Sequence, residues 1–180
     1  MKGLWGFYDD RNLYEAGQAA FNAVWEKIRT ASAPHPLQAE MEMIIGFFAF
    51  RRGQFKEART HLESSLAQYR RTDDLLSCAH CLYYLAGVGS DSGDMTAARE
   101  YLEQSLQIYE NFDSRRHIGN TLAKLGSVLE LTGCYPEART ALERSLEIKR
   151  ALGAPIPISI SLNNLGLLLW RTGEYGQAES

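Results

Sequence analysis

The sequence predicts an all-α solenoid of antiparallel helix hairpins, and three observations carry that expectation. Gly53, Gly93, Gly133 and Gly173 stand 40 residues apart, each followed five residues later by an alanine: Ala58, Ala98, Ala138 and Ala178. Seven residues before each glycine lies a second small residue, Gly46, Ala86, Gly126 or Gly166. Ala138, Ala141, Leu142, Ser145 and Leu146 fall at i, i+3, i+4, i+7 and i+8, which is one stripe of an amphipathic helix. A unit copied at fixed period is one structural element that buries its apolar face against its neighbours.

The first unit, about residues 1–31, is partial and irregular. Aligning Ala16 with Ala178 sets Leu4–Tyr8 against Gly166–Trp170, puts Arg11 where later copies have the turn glycine, and leaves 42 residues to Ala58. The chain is thus expected to start midway through a first helix. Pro34-His35-Pro36 reads as a helix-to-helix connection. The next three units, 36–71, 74–111 and 114–151, superpose without gaps: Gln54–Leu66 lies over Asp94–Leu106 and Cys134–Leu146. In the last of them Ile118, Leu122, Leu125, Gly126 and Leu129 make a first-helix stripe that faces the Ala138 stripe. Gly126 and Ala138 would let the two backbones approach closely. The final unit, 155–180, stops just inside its second helix, leaving Leu162, Leu165, Leu168 and Leu169 without their expected neighbour. The whole is expected to be one solenoid domain and a portion of a longer protein.

Boundary signals agree with this division. Each turn glycine tolerates the positive φ that a tight helix-to-helix turn requires. Asp73 or Asp74, and Asp113 or Ser114, precede apolar stretches and can cap first-turn amides. Pro136, Pro155 and Pro157 fall in first turns, where a missing N–H costs little. Arg51 with Arg52, Arg70 with Arg71, and Lys149 with Arg150 sit near helix ends, where positive charge favours the dipole. They read as solvated ends, not as a basic patch.

The stretch Asn164-Leu165-Gly166-Leu167-Leu168-Leu169-Trp170-Arg171-Thr172-Gly173-Glu174-Tyr175-Gly176-Gln177-Ala178 resembles the core signature of the tetratricopeptide repeat. The similarity runs over nearly the whole chain. Its period is 40, longer than the roughly 34 usual for the family. Leu82, Leu122 and Leu162 stand where the family usually has tryptophan, and the proline closing the second helix is missing. Long units of this kind are similar to those of kinesin light chains and of large bacterial signalling ATPases and transcription activators. The extra residues lengthen both helices, to roughly 16–18 residues or ~25 Å each.

The resemblance implies a right-handed α-α superhelix whose first helices line a concave groove for a peptide or a neighbouring domain of the parent protein. Carried over by position, the groove candidates are Met43, Phe47, Phe50 and Arg51, then His80, Tyr83, Tyr84 and Asp91. They continue with Asn120, Lys124, Ser127 and Glu130, and end with Asn163, Asn164, Leu167, Trp170 and Arg171. These positions differ among copies whose stripe positions match, as a recognition surface or an idle one would. Asn163 and Asn164 can donate and accept hydrogen bonds to a partner backbone. Tyr83 and Tyr84 have interface-anchor chemistry, although Tyr84 also suits packing between units. Phe47, Phe48 and Phe50 suit the core beside the first unit. The lysine–asparagine clamp that some family members use for a terminal carboxylate is absent, since Lys124 has no matching partners in adjacent units.

Composition narrows the function classes. A net charge of −3 and a pI of about 5.8 argue against a strongly basic nucleic-acid surface. No stretch approaches a membrane span, and residues 1–20 lack a signal peptide's apolar run. Three cysteines without paired spacing across units read as a reduced, cytoplasmic protein. Cys78-Ala79-His80-Cys81 has no second ligand pair to complete a zinc site and falls on a first helix where other copies have ordinary residues. His35, His61, His80 and His117 occupy different repeat positions. Glu63, Glu103 and Glu143 recur beside the stripe and read as a solvated face. No phosphate-cradling loop or nucleophile elbow is present. No metal, cofactor or catalytic site is expected.

The expected function is therefore a non-catalytic protein-interaction scaffold within a bacterial signalling or transcription regulator. The alternative is a small-ligand sensor module in which a ligand wedged between repeats alters curvature. Exposed leucines at one end, with Trp5, Phe7 and Tyr8 at the other, also predict a homodimer through terminal repeats.

Overall fold

The structure is a computed structural model and describes residues 4–28, 37–153, 155–171 and 173. The Pro34-His35-Pro36 connection, the Trp5 side chain and everything from Glu174 onward lie outside the described residues. Among the described residues all regular structure is helical: α1 (Leu4–Asp10), α2 (Tyr14–Ile28), α3 (Gln38–Arg51), α4 (Phe55–Arg71), α5 (Leu75–Asp91), α6 (Met95–Asn111), α7 (Arg115–Leu131), α8 (Tyr135–Ala151) and α9 (Pro155–Arg171). From α4 onward every helix has 17 residues, about 25 Å at the α-helical rise. Two compact units hold them, residues 1–92 with α1–α5 and 93–180 with α6–α9.

Within the first unit, consecutive helices pack pairwise and α3 also touches α5. Its core gathers Phe21, Ile44, Ile45, Phe47 and Phe48, ringed by Tyr8, Tyr14, Trp25, Met41 and Tyr84. Gly46 is required by close approach: a Cβ there would lie 2.8 Å from Leu62 Cγ and 3.2 Å from the Ala58 carbonyl oxygen. Ser65 is fully buried, and its hydroxyl donates to the Ala39 carbonyl at 2.7 Å.

The second unit repeats this construction. A Cβ on Gly126 would lie 2.6 Å from Leu142 Cγ and 3.3 Å from the Ala138 oxygen. Ser145 Oγ donates to the Gly119 carbonyl at 2.6 Å. The small residues therefore set the helix-to-helix distance, and the buried serine satisfies its hydroxyl across the hairpin, as buried polar groups must be. Lys149 is also buried, with Nζ donating to Ser161 Oγ at 2.9 Å; burial lowers its pKa. On α9, Leu168 and Leu169 are buried while Leu162 is exposed. Of the leucines expected to lack a neighbour, those two are instead covered, because α9 packs on α8 and α7.

The turns show what the sequence marked and what it missed. Gly53, Gly93, Gly133 and Gly173 have φ between +74° and +89°. At Gly53 and Gly133 the following amide bonds the carbonyl five residues back, Gln54 N to the Ala49 oxygen and Cys134 N to the Leu129 oxygen, both at 2.9 Å, a helix-closing pattern. In the first turn the left-handed residue is Asn12, φ +55°, with Leu13 N on the Tyr8 oxygen at 2.8 Å. Asn12, not Arg11, thus matches the turn glycine, and buried Gly17, not exposed Ala16, matches Ala58. The one-residue correction has a cause: asparagine enters the left-handed region where arginine does so at a cost. Asp73 and Asp113 are also left-handed, at φ +58° and +46°, joining one hairpin to the next. The cap of α5 is Asp74, which accepts from Ser77 N at 3.1 Å. Asp94, unmarked in the sequence reading, caps α6 in the same way. Ser114 holds the cap position of α7, but its hydroxyl meets His117 Nδ1 at 2.9 Å instead of a backbone amide.

Candidate functional site

The groove candidates lie on α3, α5, α7 and α9, the first helices of their hairpins. In the first unit Phe47 is buried, Met43 and Phe50 are half-buried, and Arg51 is exposed. Phe47 and Tyr84 meet across α3 and α5 with ring centroids 5.2 Å apart, and Tyr83 sits edge-on to Tyr84 at 5.8 Å. Burial raises the Tyr84 and Tyr83 hydroxyl pKa values; for Tyr84 the charges of Tyr83 and Asp9 add to it. Both phenols therefore stay neutral, hydrogen-bonding groups at physiological pH. His80 is half-buried and Asp91 exposed on the same helix.

Arg51 closes this aromatic face. Its guanidinium carbon lies 4.6 Å from the Tyr14 ring centroid and 6.0 Å from that of Phe47. Nη2 donates to the Tyr14 hydroxyl, which in turn donates to Asn12 Oδ1. Tyr14 and Asn12 are partners that the sequence reading did not find. Only the corrected register of the first turn would have brought them forward.

The second unit has a polar face. Asn164 Nδ2 donates to Ser127 Oγ at 3.1 Å, and Arg171 Nε lies 3.1 Å from Glu130 Oε1. Asn120 and Lys124 are half-buried on α7; Asn163, Leu167, Trp170 and Arg171 are exposed on α9. Candidates on neighbouring first helices are thus in contact within each unit, aromatic in the first and polar in the second.

Other chemistry is sparse. Burial pushes the Cys81 thiol up to about 12 and raises that of Cys78, so neither supplies a thiolate readily. No cluster of metal-ligating side chains occurs among the described residues. None of the described helices is long and apolar enough to cross a membrane. A cavity of about 480 Å³ opens at the start of α4, lined by Gln54, Phe55, Lys56, Glu57, Thr60 and His61. Gln18 donates from Nε2 to Glu57 at 3.0 Å, while Gln54 Oε1 is buried without a hydrogen-bond partner.

Comparison with known proteins bears on this architecture. The sequence profile described as tetratricopeptide repeat matches residues 37–111 and 117–180. No curated protein sequence matches the chain. Among solved structures, BtubC (BKLC) from P. vanneervenii is similar at TM-score 0.84 and 17% identity, over 98% of this chain and 73% of that one. The apo form of RapI matches at TM-score 0.86 and 17% identity, over 97% of this chain and 63% of its own length. A Rap protein complexed with Competence and Sporulation Factor matches at TM-score 0.84 and 14% identity, over 97% of this chain and 48% of that chain. At such identities the likeness establishes the fold, a solenoid of helix hairpins.

Proposed function

Because the chain belongs to the tetratricopeptide-repeat family, we propose that it is a protein-interaction scaffold whose first-helix face receives a peptide or a neighbouring domain. The carrying observation is the contrast between two sets of positions. Leu82, Leu122 and Leu162 hold one stripe position, while the face position of Phe47 reads Gly87, Ser127 and Leu167 in later copies. On that face, candidates from neighbouring helices touch within each unit. A Rap protein of the same fold is known complexed with Competence and Sporulation Factor, which supports a binding role and a bacterial regulator as the setting. Titration of a cognate partner tests the assignment. Tyr83→Ala with Asn163→Ala is expected to weaken binding at least about tenfold, the loss of one or two anchors. Unchanged affinity would remove the face from the interface.

A second reading, a small-ligand sensor, is favoured by the cavity beside α4 and its unsatisfied Gln54 oxygen. It requires a ligand-dependent change in scattering radius.

A further inference from the structure

We propose that Arg51 is an anion anchor, and that the aromatic face of the first unit takes a peptide segment carrying a glutamate or aspartate side chain between apolar residues. The inference deepens the groove reading and rests on it.

Arg51 and Arg171 hold the same repeat position, two residues before Gly53 and Gly173. In the second unit that guanidinium is neutralised internally: Arg171 meets Glu130, a buried carboxylate on the preceding first helix, at 3.1 Å. Among the described residues of the first unit no carboxylate pairs with Arg51. Asp9 stands at the position of Glu130 once Asn12 is taken as the turn residue, and Asp91 lies exposed on α5. Neither forms an ion pair with Arg51, whose side-chain hydrogen bond goes to the Tyr14 hydroxyl. The cation is nevertheless held in place. Tyr14 and Phe47 flank it, and Asn12 fixes the Tyr14 hydroxyl. A guanidinium has five N–H donors in a planar fork, and only the one on Tyr14 is engaged among the described residues. A cation stacked on rings, exposed and pre-oriented, is suited to bidentate pairing with a carboxylate.

The surroundings narrow the partner. No lysine or arginine occurs between Leu75 and Asp91 on α5, and Arg11 stacks on a different ring, Phe7, so Arg51 is the fork that the Tyr14 and Phe47 rings present. One fork fits one side-chain carboxylate, whereas a chain terminus is best gripped by several donors at once. Tyr84 packs on Phe47 and Tyr83 on Tyr84, and these rings favour apolar residues on either side of the acid.

A displayed library of random twelve-residue peptides, selected on the full chain, supplies the probe. The expected consensus has one acidic position between apolar residues. Changing that acid to its amide in the selected peptide, made with an amidated terminus, should weaken binding about tenfold, the worth of a charge-assisted pair. Arg51→Gln should erase the acid preference, Arg51→Lys should restore it in part, and Arg171→Gln should leave it intact, with thermal melts confirming that all variants fold. A consensus without an acid, an acid preference that survives Arg51→Gln, or a dependence on the free terminus would each overturn the inference while leaving the groove standing. Failure to select any peptide would overturn the groove reading and this inference together.

Discussion

His117 shows how a side chain can tie a hairpin junction to pH. Its ring stacks on buried Tyr109 with centroids 4.8 Å apart, and Ser114 Oγ meets its Nδ1. Burial, and then the charge of Arg116, hold its pKa below the ordinary histidine value. In the unfolded chain the imidazole takes a proton near pH 6.5, whereas the folded site resists protonation. Stability is therefore full above roughly pH 6.5 and falls as pH drops through that value, levelling once folded His117 also titrates. Half-exposure limits the effect to at most ~0.5 kcal/mol. Urea melts at pH 7.5 and 5.5 should show a larger loss for the wild type than for His117→Asn. Identical losses would mean that another group sets the slope. Nothing in the sequence marked this residue, because its role depends on Tyr109, eight positions earlier and on another helix.

At the level of elements, small residues decide which helices may touch. Gly126 and Gly166 hold one repeat position, but among the described residues a Cβ at Gly166 would find no heavy atom within 4 Å, while one at Gly126 collides with Leu142. Gly126→Ala is expected to cost ~1–3 kcal/mol through overpacking. Gly166→Ala should instead gain up to about 1 kcal/mol, since alanine is the better helix former. Chemical denaturation of the two variants compares them directly, and equal effects would contradict the hairpin geometry. The Gly126 stripe was legible in the sequence because both partners recur at a fixed distance from the turn glycine. The first turn was less so: Ala16 imitates the repeat's alanine, and only backbone geometry reveals that Asn12 turns the chain and Gly17 faces Phe48. Likewise Asp73 and Asp113 read as caps, since aspartate suits both a cap and a left-handed turn.

For the molecule as a whole, period dictated architecture. Apolar residues repeating every 40 positions leave each hairpin with a face that only a neighbour can cover, which is why the fold could be read from spacing alone. Binding residues were legible only as positions. What each one touches depends on neighbours a full repeat away, as with Asn164 and Ser127. Leu162 and Trp170 are 44% and 63% exposed, and Phe7 on α1 is 47% exposed. Terminal apolar groups of this size favour self-association, so we expect sedimentation equilibrium to give an apparent mass that rises with protein concentration. A strict monomer at high concentration would rule out pairing through the terminal helices.

The buried thiols of α5 carry a practical corollary. Cys78 and Cys81 are shielded and reluctant to ionise, while Cys134, at the turn before α8, is partly open to solvent. Alkylating dyes will therefore discriminate among the three cysteines without any engineering. A fluorophore attached at Cys134 gives the unaltered chain an optical handle at the start of α8, with the shielded thiols of α5 left unlabelled.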